Sequence, residues 1–240
     1  MSKRQKIAEG TPVCPGCGNH YDGLARHWVH SPDHRPPMSQ HQHEIVFGLI
    51  LGGAPVITTN KTPTLRVRTQ YRDFAIWMAE QLGWLTSGIF RVPPMADGGK
   101  DHAYLIRTLP HPELDRYVSW WDDGVLDVPR GREVRRWTAR SWVAKAASVA
   151  WSNDHNSRET RFSAANEPRR SWVGHYLRVL GIDPTYRCDE WFVSSNETRE
   201  LFSFVGGPVP GVEHKWALDR EMYDNIRDEQ KAELEALSHW

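Results

Sequence analysis

Apolar and polar positions along the chain run twice through one cycle: a small-faced helix, a hairpin, an amphipathic helix, two more strands and a closing helix. The first cycle opens on Val46–Ala54, Val-Phe-Gly-Leu-Ile-Leu-Gly-Gly-Ala, the end of a helix predicted over Glu44–Gly53. Gly48 and Gly52 are four apart and share one face, so a partner helix can approach with its backbone nearly in contact. The second cycle opens on Trp142–Ala150, within a helix predicted over Arg140–Val149, where Ala144 and Ser148 are small in the same places.

After the first small-faced helix, Ala54–Thr58 and Thr64–Thr69 read as a hairpin around Asn60-Lys61-Thr62-Pro63. Alternation in Thr64–Thr69 turns Leu65 and Val67 toward a core and Arg66 and Arg68 outward together. Phe74, Trp77, Met78 and Leu82 recur at helical spacing across Tyr71–Leu85, strands follow near Ile89–Val92 and His102–Arg107, and His111–Trp121 closes the cycle as a helix. The second cycle places a hairpin at Ala150–Ser152 and Arg158–Ala165 around Asn153–Asn156 and a helix over Pro168–Leu180. Strands at Thr185–Cys188 and Trp191–Ser194 and a helix over Glu197–Val205 complete it. Leu218–Leu237 reads as a charged C-terminal helix that covers the fold, and Cys188 as a core thiol in its strand.

Residues 1–10 are polar and read as loose, and Pro36–His43 as a linker with solvated histidines. Between them lies Cys14-Pro-Gly-Cys17, followed by His27 and His34 in the spacing Cys-x2-Cys-x9-His-x6-His. A Cys-x-x-Cys turn aims two thiolates at one ion and a helix can return His27 to it, so Cys14, Cys17, His27 and His34 form a tetrahedral set suited to Zn2+. His30 competes with His34 as the fourth ligand, and His20 is a weaker rival.

The paired helix motifs, with Trp120-Trp121-Asp-Asp-Gly124 and Val128-Pro129 before the second, resemble the LAGLIDADG homing endonucleases in single-chain form. The resemblance implies an α+β fold: duplicated αββαββα halves with pseudo-twofold symmetry and antiparallel saddle sheets, plus the small N-terminal zinc-binding module. The boundaries it suggests are 1–37 for the module, 38–127 and 128–211 for the repeats and 212–240 for the C-terminal helix. It implies double-stranded DNA as partner and a monomer with an internal pseudo-dimer. DNA-binding positions carried over are Asn60, Lys61, Thr64, Arg66 and Arg68 in the first hairpin. Asn153, Asp154, His155, Arg158, Thr160 and Arg161 are their counterparts in the second, with Arg130, Arg132, Arg135 and Arg136 on phosphates. The chain departs from the family at the eighth motif place, where a metal-binding aspartate is replaced by Gly53 and Val149. Neither side chain can hold Mg2+, so the expected activity is sequence-specific DNA binding without cleavage.

Charge sharpens this reading without deciding it. Thirty Lys and Arg balance thirty Asp and Glu, so the chain is no general polycation, although a neutral total allows one basic face. No stretch has 18 consecutive apolar residues and the N-terminus lacks an apolar signal region, so no membrane partner is expected. The expected location is intracellular, in cytoplasm or nucleoid, or in a host cytoplasm if phage-encoded. Phosphate-cradling Gly-rich loops and the Gly-x-Ser-x-Gly elbow are absent. Two alternatives stay open: an active endonuclease with an unorthodox metal site, and a protein–protein adaptor on the same fold.

Overall fold

A computed structural model describes residues 5–9, 13–59, 62–92, 103–151 and 158–238. In chain order the strand β1 (Gln5–Glu9) and helix α1 (Leu24–His30) precede α2 (Gln40–Leu51), the hairpin β2 (Val56–Thr59) and β3 (Thr62–Thr69), and α3 (Arg72–Leu82). Next come β4 (Thr86–Val92), β5 (Ala103–Thr108), a 3-10 helix over Pro112–Trp120 and the small hairpin β6 (Trp121–Asp122) and β7 (Val125–Leu126). The second series is α4 (Arg136–Ala146), β8 (Ser148–Trp151), β9 (Arg158–Ser163), α5 (Glu167–Val179), β10 (Thr185–Arg187), β11 (Glu190–Val193) and α6 (Ser195–Val205). A 3-10 turn at Glu213–Trp216 and α7 (Arg220–Ser238) follow. The order helix, two strands, helix, two strands, helix thus occurs twice, as the repeating pattern predicts.

The chain divides into two compact units, one of residues 1–46 and 54–119, the other of 47–53 and 120–240. The first carries an antiparallel five-stranded sheet in the order β1-β4-β5-β3-β2. Leu65, Val67, Ile89 and Ile106 are buried on one face of it, as are Phe74, Ala75, Met78 and Leu82 of α3, the alternation of a half-buried sheet meeting the apolar stripe of a helix. The second unit carries a four-stranded antiparallel sheet, β10-β11-β9-β8. Its core centres on Trp142, Phe162 and Trp172, the first two 4.9 Å apart by ring centroid and the first and third 6.4 Å apart.

Several expectations need correcting. Residues 5–9 are a strand paired with β4, not loose chain; their polar sequence gives no local signal because the partner strand supplies the pairing. Helix α2 begins at Gln40, inside the supposed linker. Ser39 and Gln42 cap it reciprocally: the Gln42 N–H donates to Ser39 Oγ at 3.1 Å and the Ser39 N–H to Gln42 Oε1 at 2.9 Å, a capping box readable as Ser-x-x-Gln. His41 and His43 are not solvated linker residues; they bond Gln81 and Glu113 at 3.0 and 2.7 Å. Helix α4 starts four residues before the predicted Arg140 and ends at Ala146, which leaves Ser148–Ala150 to β8. Cys188 is exposed in the turn between β10 and β11 with φ 49°, beside Asp189 at φ 58°. Among the described residues no helix is long and apolar enough to cross a membrane.

Candidate metal centre and nucleic-acid interface

The Cys14-Pro-Gly-Cys17 turn closes through the Gly18 N–H, which donates to Cys14 O at 2.7 Å. Gly16 is required there because a Cβ would overlap the His34 carbonyl. Helix α1 returns His27, and the ligand atoms of Cys14, Cys17 and His27 all lie within 4.8 Å of one another. This cluster can bind a metal ion.

Cys17 Sγ is 3.7 Å from His27 Nε2; His34, the expected fourth ligand, lies outside that set of three, although its Nδ1 is 3.3 Å from the same nitrogen. Zinc bond lengths give tetrahedral edges of about 3.6 Å for sulfur to nitrogen and about 3.3 Å for nitrogen to nitrogen. Burial alone would raise the Cys14 thiol, but hydrogen bonds from Trp28 Nε1 and the backbone of Cys17 and Gly16 leave it lowered. Those N–H groups favour the thiolate, the metal-binding form. The His27 imidazole is lowered by burial and by the neighbouring His34, which keeps it neutral and able to ligate. Tyr21 stacks on the His27 ring at 3.8 Å. Beneath the ligands Cys14, Leu24, Trp28 and Leu109 form a small buried cluster with Trp84 against it, so the module is built onto the first unit.

In the second unit, residues 47–53 and α4 meet through small residues. A Cβ on Gly48 would overlap the Ser141 hydroxyl and the Thr138 carbonyl, and one on Gly52 would lie 2.7 Å from Lys145 Cβ. The contact register therefore pairs Gly48 with Ser141 and Gly52 with Lys145, not with Ala144 and Ser148. Val149 lies in β8 opposite Thr160, and the residue one past the contact, equivalent to Gly53, is Ala146. Neither place carries a carboxylate.

Cations gather there. A Cβ on Gly53 would find Arg169 Nη1 at 3.8 Å, and Lys215 Nζ donates to Ala144 O, an end carbonyl of α4, at 2.7 Å. Burial and then the Arg169 charge lower the Lys145 ammonium. Burial and then the Lys145 charge push Lys215 down to about 7, while burial lowers Arg169, whose Nε is buried with no hydrogen-bond partner among the described residues. Burial is the first cause of each shift, and a neighbouring cation is the second for the two lysines. Arg169 and Lys215 carried no signal in the sequence; only the fold brings them to Lys145.

The outer face of each sheet is set by register. Arg66 of β3 lies opposite Arg107 of β5, and Arg68 follows two residues on, so all three share the face turned away from α3. Strands β3 and β5 contain no Asp or Glu. Thr64 of the same row is buried. In the second sheet Arg158 and Thr160 are buried and face the core, contrary to expectation: Arg158 donates to the carbonyls of Ala217 and Lys215, and Thr160 accepts from Thr198 Oγ1 at 3.0 Å. Arg161 is outward, yet it is 3.5 Å from Glu159 and 3.6 Å from Glu190. Arg187, missed by sequence reasoning, bonds Glu159 at 2.5 Å. On the second outer face Arg161 and Arg187 are thus paired with Glu159 and Glu190, whereas the first brings Arg66, Arg68 and Arg107 onto one face.

Arg130 bonds the Ser171 hydroxyl, Arg132 lies over the Trp120 ring at 5.7 Å and Arg135 pairs with Glu133 at 2.8 Å. Arg135 and Arg136 stand at the start of α4, a helix length of about 16 Å from its Lys145 end. Asn60, Lys61, Asn153, Asp154 and His155 lie outside the described residues.

No protein-family model and no curated protein matches the sequence. Among solved structures the chain is similar to the homing endonuclease I-WcaI bound to its DNA recognition sequence, with TM-score 0.66 at 9% identity, over 85% of this chain and 97% of that one. The chain therefore has a homing endonuclease-like fold.

Proposed function

We propose that this protein is a sequence-specific double-stranded DNA-binding protein on a degenerate LAGLIDADG scaffold, without cleavage activity and with a Zn2+-loaded N-terminal module. The observation that carries the reading is the pair of helix ends at Gly53 and Ala146, where Lys145, Arg169 and Lys215 gather and neither end position is a carboxylate. Cutting needs carboxylates to hold divalent ions at the scissile phosphates. Cations in their place hold phosphate directly and need no ion. Support for duplex as the ligand comes from the fold shared with an endonuclease bound to its recognition sequence, and from Arg66, Arg68 and Arg107 on one sheet face, where arginine suits guanine edges and phosphates alike. The module would hold Zn2+ through Cys14, Cys17, His27 and His34. The protein acts as a monomer, its two repeats serving as an internal pseudo-dimer.

Selection from random duplex DNA with zinc-loaded protein and Mg2+ present tests the reading. An enriched motif recovered uncut is the expected result. Recovery of cut motif would overturn the loss of cleavage and point to the active-endonuclease alternative. Absence of enrichment would overturn DNA binding and favour the adaptor.

A further inference from the structure

Between helix α1 of the metal module and the outer face of the first sheet lies a cleft of about 410 Å3. Arg26 and Val29 of α1 and Arg35 just beyond it form one wall; Arg66 of β3 and Arg107 of β5 form the other. Among the described residues no Asp or Glu lines it. Arg26, Arg35 and Arg66 converge on one opening, an arrangement that an anion shared among them would stabilise, and Arg107 lies opposite Arg66 on the neighbouring strand. The Nε atoms of Arg35 and Arg66 are buried and lack hydrogen-bond partners among the described residues, although buried donors are nearly always satisfied. The positions of the guanidiniums are nevertheless held: Arg35 donates to Trp28 O at 3.3 Å, and Arg107 lies over the Phe90 ring at 5.4 Å. Val29, 73% exposed, leaves the mouth apolar on one side.

We propose that this cleft grips backbone phosphates of duplex DNA, with the metal module and the first sheet as its two jaws. The inference rests on the DNA-binding reading and adds to it a role for the module: metal binding fixes α1, α1 fixes Arg26 and Arg35, and these close on a phosphate that Arg66 and Arg107 hold from the other side. Guanidiniums pair bidentately with phosphate and stay charged at every physiological pH. The module then lengthens the protein's footprint on one flank of its site instead of reading bases there.

The test compares the full-length zinc-loaded protein with Arg26→Glu and Arg66→Ala on the selected duplex, after zinc content and circular dichroism show each variant folded. Each variant is expected to bind at least tenfold more weakly. The slope of log affinity against log salt should fall by about 0.9 for each phosphate that is no longer neutralised. Ethylation interference should disappear at one flank only. Unchanged affinity and slope in both variants, with the parent still binding duplex, would overturn the cleft and leave the DNA-binding reading intact. If the parent binds no duplex but binds inorganic phosphate in a way that Arg66→Ala abolishes, the duplex assignment of the cleft falls together with that reading.

Discussion

Gly48 lies so close to Ser141 that a single methyl group on the glycine would overlap the serine hydroxyl and the carbonyl of Thr138. The contact involves backbone as well as side chain, so a rotamer change cannot relieve it. Gly48→Ala is expected to destabilise the second unit by about 1–3 kcal/mol, the usual range for overpacking a close-packed site. Chemical denaturation followed by tryptophan fluorescence measures it; a loss below about 0.5 kcal/mol would mean that the helices can separate freely.

Metal removal should act locally at first. Cys14, Leu24, Trp28 and Leu109 form too small a cluster to hold the module without an ion. Chelation, or Cys17→Ser, is expected to change Trp28 fluorescence and lower the thermal midpoint, with one equivalent of zinc released per chain. Cobalt substituted for zinc should show the visible bands of a tetrahedral thiolate site. Chelation that changes neither signal would remove metal from the account of the module.

Acid should weaken the second unit through His214. It is buried, donates from Nδ1 to Gln230 Oε1 at 2.7 Å, and is pushed down to about 4 by burial and by the charges of Lys215, Arg227 and Arg158. A lowered histidine means that the unfolded chain binds the proton more readily, so stability rises with pH between about 4 and 6.5 and is lost as pH falls through that window. The drop is on the order of 3 kcal/mol. His214→Gln should flatten the pH profile of the denaturation midpoint between pH 4 and 6.5, and an unaltered slope would exclude this histidine as its source.

Lys215 offers a different readout. With its ammonium pushed down to about 7, it is largely neutral at pH 8, and a phosphate placed beside it would draw a proton onto it. Binding of the selected duplex at pH 8 should therefore take up as much as one proton. Calorimetry in buffers of different ionisation enthalpy would reveal this, and the uptake should disappear in Lys215→Met. Equal heats across buffers would place Lys215 away from the DNA.

The repeating αββαββα order and the Cys-x-x-Cys module were legible because each rests on local periodicity or spacing. The register of α4 was not. The run Ala144–Ala150 offers small residues at nearly every position, and the true contact uses Ser141 and the stem of Lys145, a residue that does not look small. Arg158 and Thr160 misled for a related reason: strand composition shows that a residue is polar, whereas the Ala217 carbonyl and the Thr198 hydroxyl of α6 that receive them are distant in sequence. The arginine cleft draws on α1, β3 and β5, and no reading of one segment at a time can assemble it.

Helix α2 has one further consequence, for synthesis on the ribosome. Residues up to Val46 pack with the first unit, whereas Phe47–Gly53 pack with a unit whose remaining residues begin at Trp120. At ordinary elongation rates the apolar stretch Phe47–Leu51 waits on the order of ten seconds for the chain that will cover it. Nascent protein therefore carries an uncovered apolar segment through most of its translation. The same continuity means that a gene cut between the two halves would leave the whole of α2 on the N-terminal fragment, its Phe47–Leu51 end uncovered, and the C-terminal fragment without the segment that completes its unit.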